Sequence, residues 1–166
     1  MYPNLAQAFI RFTKKEYMPE GPSIVILREE LELYKGQKVI AVSGSAKIDL
    51  DRIKGKTIVD FKSWGKHFLI CFKGFFLRIH LLMFGTYRIN ERKEIEPRLR
   101  LVLKKDEINF YTCSIKLIEG AAEDIYDWQT DLMSEHWNAL KVKEEVKKLK
   151  QSKVCDILLN QDVFSG

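Results

Sequence analysis

Pro19 and Glu20 stand in the segment MPEGP, residues 18–22, directly before an amphipathic run. Two prolines and a glycine are typical of a turn, and Pro22 suits the first turn of a helix, where its missing N–H costs nothing. Taken alone, the segment therefore indicates a turn followed by a helix start. Met18 also resembles an initiator methionine, which leaves a second interpretation open, in which Pro19 is the N-terminus of a mature enzyme.

Three further sites carry side chains that could contact a partner. Lys66 lies in WGKHF, and His80 ends the run FLRIH. The apolar residues of LLMFG are Leu82, Met83 and Phe84. Each site has an ordinary interpretation: an exposed turn lysine, a surface histidine and part of a core. A histidine on the polar face of a strand is equally compatible with binding phosphate through its N–H group.

The composition is that of a globular, moderately basic protein. The 166 residues are 46% hydrophobic, and the net charge is +5 with a pI near 9.0. A chain of this length can bury roughly 70% of its unfolded surface, so we expect one domain with a small appendage. The basic excess suits a polyanionic partner but does not establish one.

Cysteine and hydropathy patterns indicate a reduced, cytoplasmic protein. Cys71, Cys113 and Cys155 are odd in number and form no CxxC pair, so neither a disulfide framework nor a zinc site is indicated. No apolar run approaches the roughly 18 residues that span a bilayer, so no membrane association is expected. Residues 1–17 lack an apolar core and a cleavage site, and we interpret them as an extension rather than a signal peptide.

A helix is predicted over residues 22–35, directly after the turn. Its apolar residues recur at helical spacing and form one face: Ile24, Leu27, Leu31 and Tyr34. Charged residues fall elsewhere on its surface, and Gly36 suits the C-terminal stop.

From about residue 37 to 118 the hydrophobic period changes to two, which predicts β-strands. Seven β-rich runs are separated by turn residues: KVIAVSG, TIVDFKSW, HFLICFK, FFLRIHLL, GTYRIN, RLRLVLK and INFYTC. In RLRLVLK the alternation puts Leu99, Leu101 and Leu103 on one face. Strands at this spacing favour an antiparallel sandwich or barrel.

After Gly120 the pattern becomes helical, and Ser134 is interpreted as a helix start. The predicted helical segments are 123–133, 134–150 and 153–160. The predicted fold class is α+β: an antiparallel β-sandwich with an N-terminal helix, followed by a partial all-helical region. The predicted divisions are an extension at 1–17, a β-sandwich domain at 18–120 and a helical region at 121–166.

The order of these features resembles the formamidopyrimidine-DNA glycosylase/endonuclease VIII family of base-excision repair enzymes. The segment MPEGP, the helix, the strands around GKHFLICFKGFFLRIHLLMFG and the terminal helical region follow one another from Met18 to Gly166. The resemblance implies a bifunctional DNA glycosylase that removes oxidised bases and cleaves the strand as an apurinic/apyrimidinic (AP) lyase. It also implies a monomer that acts on damaged double-stranded DNA and is associated with the nucleoid.

The resemblance assigns catalytic roles to the segment before the helix. In the family the initiator methionine is removed, and the exposed proline, here Pro19, attacks the sugar carbon that holds the damaged base and forms a Schiff base. An α-amino group titrates at roughly 7.7–8.0 and is partly free at neutral pH, which suits a nucleophile. The following acid, here Glu20, is implied to assist proton transfers.

The same resemblance implies roles in DNA binding for the other sites. Lys66, counted here with the catalytic residues, matches a family lysine that contacts phosphates beside the lesion, and His80 matches another phosphate contact. Leu82, Met83 and Phe84 align with the apolar wedge that fills the gap when a base leaves the duplex. An exposed Met-Phe tip would favour the wedge over core packing.

Some features depart from the family pattern. Ser23 stands where a glutamate usually follows the second proline, so contacts to the lesion are expected to differ. FYTCSIKLIEG replaces the Pro-Arg-Arg-Phe-Gly loop of the formamidopyrimidine branch, which favours oxidised pyrimidines over oxidised purines. VCDILLNQDVFSG resembles the start of the helix-two-turn-helix motif, and neither the rest of that motif nor the family's zinc finger follows. We therefore predict no cofactor for this chain. An active glycosylase of this family is one hypothesis, and it requires a chain that starts at Met18 and continues past Gly166.

Two alternatives to an active glycosylase remain open. The first is a truncated, non-catalytic DNA-binding remnant of the family, in which the residues before Pro19 block its nitrogen. The second is a β-rich interaction domain, in which the lysines of the basic helix are exposed to solvent and bind no partner.

Overall fold

The computed structural model describes residues 19–149, 152–160 and 163–165, so the predicted extension at 1–17 lies outside the described residues. Within those residues, eight β-strands form two antiparallel sheets of four strands each, with one helix before them and short helical segments after them. The α+β fold class and the β-sandwich are confirmed. The predicted division of the chain at residue 120 stays a prediction.

Helix α1 spans Gly21–Leu31 and continues as a 3₁₀ turn at Glu32–Tyr34. The helix therefore starts one residue earlier than the sequence predicted and loses α-helical geometry before Gly36. All four residues of the predicted apolar face are buried: Ile24, Leu27, Leu31 and Tyr34. Through this face α1 packs against the second sheet.

The strands are short and pair only in antiparallel fashion. The first sheet contains, from edge to edge, β1 (Ala41–Ser43), β6 (Leu99–Val102), β7 (Glu107–Tyr111) and β5 (Thr86–Ile89). The second contains β2 (Asp60–Trp64), β3 (His67–Phe72), β4 (Phe75–His80) and β8 (Ser114–Glu119). The sequence predicted seven of these strands and missed β8. A tight turn in which Thr112 has a φ of 51° separates β8 from β7, whereas the prediction ran the preceding strand through this turn.

The main core lies between the two sheets and beneath α1. It includes the predicted leucine face of β6 and its continuation, Leu99, Leu101 and Leu103, all of which are buried. Facing them are aromatic and aliphatic residues of the second sheet: Phe68, Ile70, Phe75, Leu77 and Ile79. Burying a side chain of this size contributes about 1.5–3 kcal/mol, so this layer is the main source of stability.

A second apolar cluster covers the outer face of the second sheet. Trp64 and Phe76 of the sheet pack there against Tyr126. The predicted helix at 123–133 is wrong, because this segment forms 3₁₀ turns at Ala122–Asp124 and Trp128–Thr130. Two indole hydrogen bonds tie the segment to β2, from Trp64 Nε1 to Asp127 O at 3.1 Å and from Trp128 Nε1 to Ser63 O at 2.9 Å. These tertiary contacts override the local helical pattern.

Two helices follow, α2 (Ala139–Lys148) and α3 (Val154–Leu158). The basic run predicted to be helical forms α2, but Ser134 does not start it. Asn138 is the N-cap, because its Oδ1 accepts hydrogen bonds from the backbone N–H groups of Leu140 and Lys141. Among the described residues, no helix combines the length and apolar character needed to cross a membrane.

Candidate active site

One end of the sandwich brings the predicted site residues together. The turn between β2 and β3 carries Lys66, and β4 ends at His80. Pairing of His67 with His80 across β3 and β4 puts these strand ends side by side. The start of α1 lies at the same end, because Glu20 contacts Lys66 there.

The contact between Glu20 and Lys66 is the centre of the site. Lys66 Nζ lies 2.7 Å from Glu20 Oε2, and the two side chains are 33% and 48% exposed. Ion pairs this open to water stabilise a fold by about 0–1 kcal/mol. The main consequence is positional, because an ammonium group is held beside the residue that follows Pro19. Pro19 itself is half-buried.

Ser23, the departure from the family pattern, fixes the start of α1. Its Oγ accepts a hydrogen bond from Glu20 N at 2.9 Å and donates one to Glu20 O at 2.8 Å. Glu20 O also accepts from the backbone N–H of Ser23 at 3.0 Å. These bonds fix the backbone of Glu20 and thereby the direction in which its carboxylate leaves the helix.

Asp131, which sequence reasoning missed, anchors the turn that carries Lys66. The residue is only 2% exposed. Its Oδ2 accepts a hydrogen bond from Gly65 N at 3.2 Å, and its Oδ1 accepts one from Met133 N at 2.9 Å. Burial raises the pKa of the Asp131 carboxyl, and the two N–H donors and the charge of Arg28 oppose that rise. No local pattern marks this aspartate, because its partner Gly65 lies far away in sequence.

His80 and His67 lie against each other on the outer face of the second sheet. Their ring centroids are 5.7 Å apart in an edge-to-face arrangement. His67 also packs on Trp64 and Tyr126. Burial, followed by the positive charge of Arg78, lowers the pKa of His67 to about 4, so this ring is neutral at pH 7. Sequence reasoning gave His67 no role.

His80 shares the electrostatic environment of the Glu20–Lys66 pair. Burial lowers the pKa of His80, the positive charges of Lys66 and Arg78 lower it further, and Glu20 acts in the opposite direction. Its Nδ1 accepts a hydrogen bond from Leu82 N at 3.3 Å. A neutral imidazole that accepts at Nδ1 carries its proton on Nε2, and an Nε2–H group can donate a hydrogen bond to an anion.

The turn after β4 exposes three apolar side chains. Leu82, Met83 and Phe84 are 46%, 60% and 70% exposed. The strand predicted to reach Leu82 ends at His80, because the chain leaves the sheet there. A Cβ at Gly85 would lie 1.5 Å from Leu81 O, so only glycine allows this close approach. The exposed Met-Phe tip is the feature that favours a wedge over core packing.

The structure therefore brings Glu20, Lys66, His80 and residues 82–84 to one end of the sandwich, next to Pro19. Their chemical roles stay predictions. Among the described residues, no group of three or more His, Cys, Asp or Glu side chains is placed to hold a metal ion. The absence of a cofactor also stays a prediction.

Comparison with known proteins gives a family and relatives. Residues 18–114 match the formamidopyrimidine-DNA glycosylase N-terminal domain. Endonuclease 8-like 3 of Mus musculus is 32% identical over 110 residues, which cover 61% of this chain and 18% of the mouse protein. Endonuclease 8-like 3 of Xenopus laevis is 29% identical over 140 residues, which cover 77% of this chain and 23% of the frog protein. The chain thus spans less than a third of the length of these relatives.

Solved structures share the fold. A viral DNA glycosylase superposes with a TM-score of 0.74 at 18% identity, over 89% of this chain and 65% of the viral chain. The Lactococcus lactis formamidopyrimidine-DNA glycosylase, non-covalently bound to DNA that contains an AP site, superposes with a TM-score of 0.71 at 21% identity, over 89% of this chain and 63% of its own. Because the family match covers most of the sandwich and the same fold recurs in these glycosylases, the chain belongs to the formamidopyrimidine-DNA glycosylase N-terminal domain family.

Proposed function

We propose that this chain is the catalytic part of a base-excision DNA repair glycosylase with AP lyase activity. Membership of the family indicates a DNA repair glycosylase function. The observation that supports the proposed chemistry most directly is the 2.7 Å contact between Glu20 and Lys66, directly beside Pro19. An acid, a cation and a potential amine nucleophile thus lie at one end of the sandwich.

In the proposed reaction the secondary amine of Pro19 attacks C1′ of the damaged nucleotide. The bond from C1′ to the base breaks, and the proton that the Pro19 nitrogen loses after the attack is taken up by the departing base, directly or through solvent. Glu20 donates a proton to the ring oxygen of the sugar, the ring opens, and an iminium (a Schiff base) joins the Pro19 nitrogen to C1′. Solvent then removes a proton from C2′, the electron pair of that bond forms a C2′–C3′ double bond, and the bond from C3′ to its phosphate oxygen breaks, which cleaves the strand.

The proposed role of Lys66 and His80 is to bind the phosphates beside the lesion. The Lys66 side chain is one-third exposed, so its ammonium group is accessible to a phosphate that approaches this end of the sandwich. A phosphate that pairs with Lys66 competes with Glu20 for the ammonium group, so the carboxyl group of Glu20 can take up a proton and then donate it to the sugar. The Nε2–H of His80 is the second donor.

The proposed substrate is an oxidised base in double-stranded DNA, with an oxidised pyrimidine favoured by the likeness of FYTCSIKLIEG to the endonuclease VIII branch. The net charge of +5 supports a polyanionic partner. We further propose that the protein acts as a monomer and is associated with the nucleoid in the cytoplasm.

The chemistry requires a chain that begins at Pro19. While residue 18 is attached, the Pro19 nitrogen is a tertiary amide whose lone pair is delocalised into the carbonyl group, and it cannot attack the sugar. The same protein therefore offers its own inactive control, in which Met18 and the preceding residues are retained.

Borohydride trapping with an abasic-site duplex tests this proposal. A chain that begins at Pro19, extended by a C-terminal region of the family, should give a covalent protein–DNA adduct, because borohydride reduces the Schiff base to a stable amine. The matched form that begins at Met1 should give none. DNA binding that weakens with salt but yields no adduct from the Pro19 form would support the non-catalytic alternative. Absence of DNA binding at low salt would favour the interaction domain.

A further inference from the structure

Leu82 has an unusual backbone conformation for its residue type. Its φ is 54°, in the left-handed region that side chains with a Cβ rarely adopt. Asn90 has a similar φ of 57°, but asparagine tolerates this region, and its side chain is bonded to Asp106 and Glu107. The Leu82 side chain is 46% exposed, so burial contributes little to holding it in place. Its conformation therefore needs another local source of stabilisation.

The Leu82 N–H donates a hydrogen bond to His80 Nδ1 at 3.3 Å, which is a local contact of the kind that stabilises such a conformation. An acceptor two residues before the N–H is the arrangement by which asparagine and aspartate side chains close local turns. The His80 ring is itself held, because it packs edge-on against His67, whose ring stacks on Trp64 with centroids 5.8 Å apart. The bond thus connects Leu82 to the packed outer face of the sheet.

The far end of the turn is fixed by close backbone packing. The hypothetical Cβ of Gly85 would lie 1.5 Å from Leu81 O, so the backbone closes tightly on itself there. Leu81 is buried in the main core. Met83 and Phe84 lie between these two fixed points, 60% and 70% exposed. A tip that is held at both ends can present its side chains in one direction without a partner.

We propose that His80 is a positioning residue for this tip: it holds Leu82 in the left-handed conformation and so preorganises Met83 and Phe84 for insertion into a bound duplex. The two nitrogens of the His80 ring then have different roles. Nδ1 accepts the hydrogen bond that holds Leu82, and Nε2–H donates to the phosphate beside the lesion. The insertion step rests on the proposed function, whereas the effect of His80 on the backbone does not.

Amide hydrogen exchange in the full 166-residue chain without DNA tests the positioning role. In His80→Ala the Leu82 amide should exchange faster by roughly fivefold, the factor expected when one net hydrogen bond is lost. In His80→Asn the side-chain oxygen can accept from the same N–H, so the Leu82 amide should remain protected. The amide of Ile70, in the buried strand β3, reports in each variant whether the fold is intact. Unchanged exchange in His80→Ala, or fast exchange in His80→Asn, would overturn the proposal.

A second variant tests the same role from the side of Leu82. Glycine adopts a positive φ without a hydrogen bond, so Leu82→Gly should make the tip independent of His80. In that background the methyl relaxation of Met83, measured by NMR, should be the same whether His80 is retained or replaced through His80→Asn or His80→Ala. The role would be contradicted if His80→Ala made Met83 move faster on the Leu82→Gly background by as much as it does on the native background. Because these measurements need no DNA, failure of the trapping experiment leaves them unaffected.

Discussion

The two turns at the candidate-site end of the sandwich are held in different ways. Both contain a residue with left-handed backbone, at Gly65 with a φ of 52° and at Leu82 with a φ of 54°. The turn at Gly65 is anchored from outside by Asp131, a buried carboxylate far along the chain. The turn at Leu82 is held by its own neighbour, His80, and its tip projects into solvent.

The way in which each turn is held corresponds to the side chains that the turn carries. The anchored turn carries Lys66, whose ammonium group must keep its place relative to Glu20, and a tertiary anchor fixes that distance. The projecting turn exposes Met83 and Phe84, which folding alone would favour burying. Exposed apolar side chains grouped in one turn are typical of a surface that meets a partner. The comparison therefore predicts that damage to the first turn affects stability, and that damage to the second leaves stability unchanged.

Removing the anchor should have the largest effect. Asp131→Ala leaves the N–H groups of Gly65 and Met133 without their acceptor in a buried site, and we expect a loss of about 3 kcal/mol in the free energy of unfolding. Urea denaturation measures it. Asp51→Ala, at an exposed aspartate, is the matched control and should change stability by less than about 0.5 kcal/mol. Equal small changes in both variants would show that Asp131 is not an anchor.

Protonation of His67 should weaken the aromatic cluster between the two turns. Its folded-state pKa of about 4 lies below the unfolded value of 6.5, so the unfolded chain binds the proton first as pH falls. Its contribution is therefore fully present above pH 6.5 and is lost towards pH 4, by about 1–2 kcal/mol because solvent partly screens this incompletely buried ring. His67→Phe keeps an aromatic ring but cannot titrate, and the difference in stability between the two proteins should change across this pH window. A constant difference would contradict the assignment.

Neutralising the acid beside Lys66 should affect chemistry more than folding. In a chain that begins at Pro19, Glu20→Gln keeps the size of the side chain but cannot donate the proposed proton, and formation of the trappable Schiff base should slow by about 100-fold. The free energy of unfolding should fall by less than about 1 kcal/mol, since the ion pair is open to water. Glu29→Gln, at an exposed position of α1, is the control for both measurements. Equal rates of Schiff-base trapping for Glu20→Gln and the unsubstituted chain, both beginning at Pro19, would remove Glu20 from the reaction.

The exposed tip should show the smallest effect on stability. Phe84→Ala should change the free energy of unfolding by less than about 0.5 kcal/mol. Phe110→Ala, at a fully buried phenylalanine of β7, should cost about 3–5 kcal/mol by the same measurement. If Phe84→Ala were as destabilising as Phe110→Ala, the tip would be part of the core, and the contrast between the two turns would be wrong.

Local patterns predicted most of the elements but not the contacts between them. The apolar face of α1 and the alternation of β6 follow from spacing within a few residues, and both predictions are confirmed. The segment 123–133 has a helical pattern, but its structure is set by indole contacts with β2. The Asp131–Gly65 bond, which joins residues 66 positions apart, leaves no mark on either local sequence.

The candidate site shows the same limit. The resemblance to the family predicted that Glu20, Lys66 and His80 are site residues. In the structure Glu20 contacts Lys66, and the charges of both act on the pKa of His80. The left-handed conformation of Leu82 could not be predicted, because leucine gives no signal for it. It depends on a hydrogen bond from Leu82 N to a side chain whose direction only the folded sheet determines.

Mapping the borohydride-trapped adduct tests the central claim most directly, because it identifies the atom that attacks the sugar. Trypsin should release residues 19–28 as one peptide from a chain that begins at Pro19, since Arg28 is its first cleavage site. The proposed mechanism predicts that this peptide carries the reduced deoxyribose remnant on the Pro19 nitrogen. A remnant found on Lys66 instead, with cleavage blocked after that residue, would contradict the mechanism.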